Sequence, residues 1–179
     1  MRIIAGIAKG TMLVAPPGAR ATSDRVREAV FSSLGDRVLG ATVLDLFAGS
    51  GALGLEAASR GASAVTFVDN TRGALAALER NLAAFRRNRT VTCQFQVIRA
   101  DVFKLPPLGK TFSLIFADPP YGDAAQKLLS IPLPLAIGGL FVLESAKRDP
   151  LAVGPPWFVK RESVYGDTRV SFLVAATSI

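Results

Sequence analysis

Apolar residues recur along this chain at two periods, and each change of period marks the start of a new element. Over residues 24–34 the period is helical: Val26, Val30 and Leu34 fall four apart, Ser23 or Asp24 can cap the segment, and Gly35 ends it. Ahead of it, residues 2–14 predict one or two short strands around a turn from Gly6 to Gly10, and Ala15-Pro-Pro-Gly18 predicts a loop. From Thr42 strands and helices alternate. Val43–Phe47 predicts a strand, followed by a glycine turn and a helix through about Arg60. Ala64–Val68 predicts a second strand ending at Asp69, and the helix after it sets Leu75, Leu78, Leu82 and Phe85 on one face. Cys93–Ile98, Phe112–Phe116 and Leu140–Leu143 predict three more strands, and residues 157–163 and 169–175 a closing antiparallel hairpin.

Such alternation predicts an α/β fold with a mostly parallel sheet covered by helices on both faces. In these sheets the ligand lies beyond the carboxyl ends of the strands. Asp45 with the turn at Gly49, Asp69, Asp101 and Asp118 all fall near those ends. Any one of them alone reads as a cap or turn residue; four acids along one edge of a basic protein read as a site.

Composition narrows the chemistry. The 179 residues suit one domain, and 50% of them are hydrophobic, enough for a single buried core. A lone cysteine, Cys93, permits neither an internal disulfide nor a thiolate metal cluster, which points to a reducing cytosol. Residues 1–9 lack the apolar run of a secretory signal, and nothing approaches the roughly 20 apolar residues of a membrane span. A soluble cytoplasmic protein is expected, with no membrane partner. There is no histidine, which excludes a Ser-His-Asp triad and the usual zinc or iron sites, so no metal is expected. The formal net charge is +7. It serves solubility in many small domains, but its placement favours a polyanionic partner. Residues 1–40 hold Arg2, Lys9, Arg20, Arg25, Arg27 and Arg37 against three acids, and a second cluster is Arg86, Arg87 and Arg89.

The glycine loop is ambiguous by itself. Gly49-x-Gly51-x-x-Gly54 follows a strand and opens a helix, and Asp69 lies about 20 residues beyond its first glycine, as in a dinucleotide fingerprint. A hydride-transferring enzyme and an S-adenosylmethionine enzyme both fit. Asp45 lies within the strand before the turn, where the ammonium of an amino-acid moiety can sit, and Asp101 can accept from an adenine amino group. Asp118-Pro-Pro-Tyr121 after the fourth strand tilts the reading to S-adenosylmethionine. An amino group on a nucleobase is a poor nucleophile because its lone pair is delocalised into the ring. Acceptors aimed at its N–H bonds favour the tetrahedral nitrogen that attack on a sulfonium methyl requires. Asp118 supplies a carboxylate, the Pro119 carbonyl a second acceptor, and Tyr121 a stacking face for the base. In an arbitrary sequence Asp-Pro-Pro-Tyr is an ordinary rigid turn; here it sits on the ligand edge, downstream of a glycine loop.

The Phe47-Ala-Gly-Ser-Gly51 loop, Asp118-Pro-Pro-Tyr121 and Arg20-Ala-Thr-Ser-Asp-Arg-Val-Arg-Glu28 together resemble the RsmD-type 16S rRNA guanine-N2 methyltransferases. The resemblance runs from Arg2-Ile-Ile-Ala-Gly6 to Tyr165-Gly-Asp-Thr168. It implies a Rossmann-like class I methyltransferase fold with a seven-stranded sheet, residues 41–179, carrying an N-terminal strand-helix extension, residues 1–40, in one structural unit. It implies S-adenosylmethionine as donor, S-adenosylhomocysteine as product, and a guanine of 16S rRNA or the small ribosomal subunit as target of a monomeric enzyme. On this chain Gly49, Ser50 and Gly51 would line the methionine moiety beside Asp45, Phe47 and Ala48. Asp69 with Asn70 would hold the ribose, and Asp101 with Val102 the adenine. Asp118, Pro119, Pro120 and Tyr121 would hold the target base, and Thr22, Arg25 and Arg27 would meet the RNA. Two departures bear on the RNA-facing surface: Ala21 stands where a proline is common, and residues 122–139 are short and rich in Ile, Pro and Leu where a longer helix is usual. Asp-Pro-Pro-Tyr alone is shared with DNA adenine methyltransferases, so an adenine-N6 methyltransferase of DNA or RNA is a second reading, but it would normally need a separate recognition domain that 179 residues hardly hold. A non-catalytic rRNA-binding module need keep neither Asp118 nor the glycine loop.

Overall fold

A computed structural model describes residues 1–18, 23–88, 90 and 92–176. Seven strands form one sheet: β1 Thr42–Leu46, β2 Ala64–Asp69, β3 Gln94–Arg99, β4 Phe112–Ala117, β5 Leu135–Ala146, β6 Trp157–Tyr165 and β7 Thr168–Ala175. Their order is β3-β2-β1-β4-β5-β7-β6. The first five run parallel, and the hairpin of β6 and β7 joins antiparallel through β7 against β5. This is the mostly parallel, seven-stranded α/β sheet expected of a Rossmann-like methyltransferase. The order turns back between β1 and β4, and that switch point opens a crevice at their carboxyl ends.

Side chains alternate across the sheet with the period of two that a strand imposes. Val43, Phe67, Leu114, Phe116, Leu140 and Val142 enter one core, shared with helices α1 (Asp24–Leu34), α2 (Ala52–Ser59) and α3 (Arg72–Phe85). Leu44, Leu46, Ile115, Phe141 and Leu143 enter the other. The helical cover of this second face is slight: a five-residue helix α4 (Ala124–Leu128), a single 3-10 turn (Val102–Lys104) and the Pro-containing loops 105–110 and 131–134. Among the described residues no helix is long and apolar enough to cross a membrane.

Three local expectations change. Residues 2–14 make a single antiparallel bridge, Arg2 to Met12, and no longer strand. Their backbone donors go elsewhere: the N–H groups of Ile4 and Ala5 donate to the Glu56 carboxylate at 2.8 and 3.0 Å, and that of Ala8 to Ser59 Oγ at 3.0 Å. The buried face of α3 is Ala74, Ala77, Leu78, Asn81, Leu82 and Phe85, with Leu75 only half-buried. β5 starts five residues before Leu140, because a register shift against β4 takes up extra residues around Gly138, whose φ is 73°.

Candidate functional site

The glycine turn is built by three different constraints. Gly51 caps α2 in the left-handed region at φ 77°, and a Cβ there would lie 2.4 Å from Leu78 Cδ1. Gly54 has ordinary helical backbone but brings α2 onto β2 so closely that a Cβ would meet Phe67 Cε1 at 2.3 Å and Val65 Cγ1 at 2.7 Å. Gly49 has room, its nearest prospective neighbour being the Phe47 carbonyl at 3.8 Å, yet its φ is 55°. The open space beside Gly49 faces the crevice, where a ligand can approach bare backbone. Phe47 also takes a positive φ, 54°, a costly conformation for a bulky residue.

Two aspartates fix this turn. Asp45 accepts from the Gly54 N–H at 2.9 Å, and Asp69 accepts from the Gly49 N–H at 2.9 Å and from Thr71 N–H and Oγ1. Thr71 places both its hydrogen bonds on Asp69 Oδ1, whereas Oδ2 of each acid accepts one bond from the turn and, when ionised, keeps a lone pair for a ligand in the crevice. Burial pushes the Asp45 carboxyl up to about 8; the charges of Asp118 and Asp69 push the same way, and the Gly54 N–H offsets part of the rise. Asn81, buried on α3, ties the turn to the N-terminal segment: its Nδ2 donates to the carbonyls of Ser50 and Val14, and its Oδ1 accepts from Val14 N–H.

Two cavities open along the edge. The larger, about 700 Å³, is lined by Asp45, Phe47, Ala48, Gly49, Ser50, Asp69, Asn70 and Asp101, with Met1, residues 16–18 and Phe103 closing its sides. The smaller, about 400 Å³, is lined by Asp118, Pro119, Pro120 and Tyr121 on one side and by Ser23, Val26, Glu144, Tyr165, Asp167 and Thr168 on the other. Asp118 and Pro120 belong to both. A donor in the first cavity and an acceptor in the second would therefore meet at Asp118, an arrangement suited to group transfer between two bound molecules.

Of the residues singled out from sequence, Gly51 lies beneath the turn and shapes the larger cavity without lining it. Val102 does not line the larger cavity: the 3-10 turn sends its side chain into the second core, and its neighbour Phe103 faces the cavity, packed on Phe47 with ring centroids 5.7 Å apart. Arg27 is corrected as an RNA contact. Its side chain is fully buried; Nη2 donates to Asp24 Oδ1 at 3.0 Å and to the Arg2 carbonyl, and Nε lies 3.8 Å from Glu56 Oε2. A guanidinium enclosed by its own carboxylates cannot reach a phosphate. Arg25, on the same turn, is exposed but lines neither cavity. Thr22 lies outside the described residues, as do Arg20 and Arg89.

Sequence reasoning missed Glu144 and the Tyr165–Thr168 side of the smaller cavity as site residues. Glu144 did carry a signal, an acid at the end of a buried run in β5, matching Asp118 after β4. Tyr165 and Asp167 carry one too, the first ending β6 and the second lying in the tight turn to β7.

The family described as conserved hypothetical protein 95 matches residues 1–174. The ribosomal RNA small subunit methyltransferase D of Escherichia coli K12 is 36% identical over 174 residues, 93% of this chain and 85% of that protein. The solved structure of the yhhF protein of Escherichia coli has a TM-score of 0.82 at 34% identity, covering 97% of this chain and 96% of that one. The structure of SMU.776, solved with SAH, shares the fold at 21% identity and a TM-score of 0.63 over 83% of this chain and 48% of that one. The chain belongs to the family described as conserved hypothetical protein 95, that of the small-subunit ribosomal RNA methyltransferases D.

Proposed function

We propose that this protein, a cytoplasmic monomer, transfers a methyl group from S-adenosylmethionine to the exocyclic N2 amino group of a guanine in 16S rRNA, either free or within the small ribosomal subunit. The observation that carries this reading is the pair of cavities meeting at Asp118 and Pro120. The larger has what the donor requires: bare backbone at Gly49, a buried acid at Asp45 for a cationic amino-acid moiety, and acids at Asp69 and Asp101 for ribose hydroxyls and an adenine amino group. When bound, S-adenosylmethionine supplies an electrophilic methyl on a sulfonium, a leaving group good enough that no strong base is needed.

The chain's own residues then act on the nucleophile. Tyr121, 38% exposed at the mouth of the smaller cavity, offers a face on which a base drawn out of its stack can lie. The Asp118 carboxylate and the Pro119 carbonyl accept from the two amino hydrogens and favour the pyramidal nitrogen. The nitrogen lone pair would take up the methyl that the sulfonium releases with its S–C bonding pair, and the surplus proton would pass from nitrogen to an Asp118 oxygen and on to water. Tyr165 encloses the base from the hairpin side.

The test is mass spectrometry of rRNA nucleosides after incubating 16S rRNA, or small subunits lacking the modification, with isotopically labelled S-adenosylmethionine. Label in N2-methylguanosine is the expected result. Label in N6-methyladenosine would assign the chain to adenine, and cofactor and RNA binding without transfer would leave a binding module.

A further inference from the structure

We propose that Glu144 reads the target base as guanine by accepting its ring N1–H, while Asp118 and the Pro119 carbonyl hold the amino group; this rests on the guanine-N2 reading above. β4 and β5 are parallel neighbours in register at Ala117 and Leu143. Asp118 and Glu144 are each one residue further on, so they stand side by side at the sheet edge, about 4.8 Å apart by strand spacing. Ala117 and Leu143 enter the second core, so both acids belong to the opposite face, where α1 brings Val26 and Ser23 to the same cavity. Glu144 is 3% exposed and still contributes to the cavity wall, so its carboxylate lies at the bottom, with the two tyrosines nearer the mouth.

Side by side, the two carboxyl groups line the floor with acceptor oxygens, and only one common base presents a matching edge. Guanine offers two amino hydrogens and then N1–H, donors in sequence. Adenine and cytosine offer one amino group followed by a ring nitrogen lone pair, which would point at a buried carboxylate. Such a lone pair loses a hydrogen bond and faces an acceptor oxygen at the bottom of the cavity, so rejection comes from the mismatch as well as from the missing contact. Asp118 alone accepts equally from any exocyclic amino group. Discrimination needs a second acceptor beside it, and β5 places Glu144 there.

The test uses 2-aminopurine, which keeps the reacting amino group but carries a lone pair at N1. The target guanine is first mapped by mass spectrometry of ribonuclease fragments of the labelled rRNA, and small subunits are then assembled on 16S transcripts in which it is either retained or replaced by 2-aminopurine. Single-turnover transfer is measured for wild type, Glu144→Gln and Glu144→Asp, with melting temperature and S-adenosylmethionine affinity as controls. Wild type should favour guanine by at least about a hundredfold. Glu144→Gln, whose amide can donate to N1, should slow transfer to guanine and narrow that preference at least tenfold, because any intrinsic reactivity difference of 2-aminopurine cancels between enzymes. Glu144→Asp keeps the charge but draws it back, and should slow transfer to guanine without gain on 2-aminopurine; it carries the test if the glutamine variant does not fold. Equal wild-type rates on both bases, or an unchanged preference in folded Glu144→Gln, would overturn the role of Glu144 while leaving guanine methylation standing. Methylation of adenine by the wild-type enzyme would overturn both.

Discussion

Asp45 and Asp118 share the crevice and face opposite demands. Asp45 is 2% exposed, and its carboxyl is held near 8 against an ordinary value of 3.8. Between about pH 4 and pH 8 the unfolded chain gives up a proton that the folded chain keeps, so this group's contribution to stability falls as pH rises through that window and levels off above it. A cation in the cavity favours the ionised carboxylate, so binding S-adenosylmethionine should expel a proton. Its affinity should therefore rise between about pH 6 and pH 8 and then flatten, and Asp45→Asn should remove the slope. Calorimetry in buffers of different ionisation enthalpy counts the proton directly; a pH-independent affinity with no proton released would rule this out. Asp118, half-buried, is expected to act mainly as the nitrogen pyramidalises, so its loss should appear in rate and not in cofactor affinity. Asp118→Ala should slow single-turnover transfer by about a hundredfold or more. Tyr121→Phe keeps the stacking face and should be mild, whereas Tyr121→Ala should also weaken capture of the base. Near-normal transfer by Asp118→Ala with saturating RNA would place the chemistry on another loop.

At the scale of elements, the strands were the most legible part of the sequence. β1, β2 and β4 are buried on both faces over most of their length and therefore appear as mostly apolar runs with an acid at or near the carboxyl end. The extra length of β5 was not legible, because Gly138 and Gly139 look like a break when they serve a bulge. Arg27 was misread although its spacing was available: residues 27, 31 and 34 share the helix face that buries Phe31 and Leu34, and the charge diverted attention from the period. Glu144 reaches Asp118 because β5 pairs with β4, and Tyr165 because β7 returns between β5 and β6; both are pairings between distant segments that no local pattern announces. The glycine turn yields a prediction here. Gly54→Ala drives a methyl into Phe67 and Val65, both fully packed, so α2 must lift from β2. A loss of about 2 kcal/mol is expected, about 4–8 °C in melting temperature for a chain of this size, together with weaker S-adenosylmethionine binding, because α2 carries the turn. Gly49→Ala has room but pays for its φ, about 1 kcal/mol. A Gly54→Ala protein as stable as wild type would mean the close packing of α2 on β2 is not what this position requires.

For the whole molecule, charge decides how a polyanion is met. Arg2, Lys9, Arg25, Arg86 and Arg87 are exposed, and Arg86 already leans over the Phe95 ring at 5.6 Å. Lys147 and Arg148 are also exposed and border a shallow hollow that shares Tyr121 and Asp167 with the smaller cavity. Under the proposed function they border the mouth through which the extruded base would enter. Each cation that neutralises a phosphate releases a counterion, so RNA affinity should fall steeply with salt, and each Ala substitution at Arg25, Lys147 or Arg148 should flatten that slope by about one unit. Arg27 gives the contrast that makes the measurement decisive. Arg27→Ala removes one positive charge from the same helix, so a response to net charge alone would treat it like Arg25→Ala. Its guanidinium, however, sits among Asp24, Glu56 and the Arg2 carbonyl, and Glu56 is itself fully buried between Arg27 and Arg60. Removing it strips a buried carboxylate of one partner, so the loss should appear as stability, about 3 kcal/mol, with the salt slope unchanged. Fluorescence titrations with 16S rRNA fragments at several salt concentrations, set beside thermal melts of the same variants, separate the two. Equal flattening by Arg25→Ala and Arg27→Ala would mean that overall charge governs the encounter; flattening by Lys147→Ala and Arg148→Ala alone would confine the contact to the mouth of the base cavity.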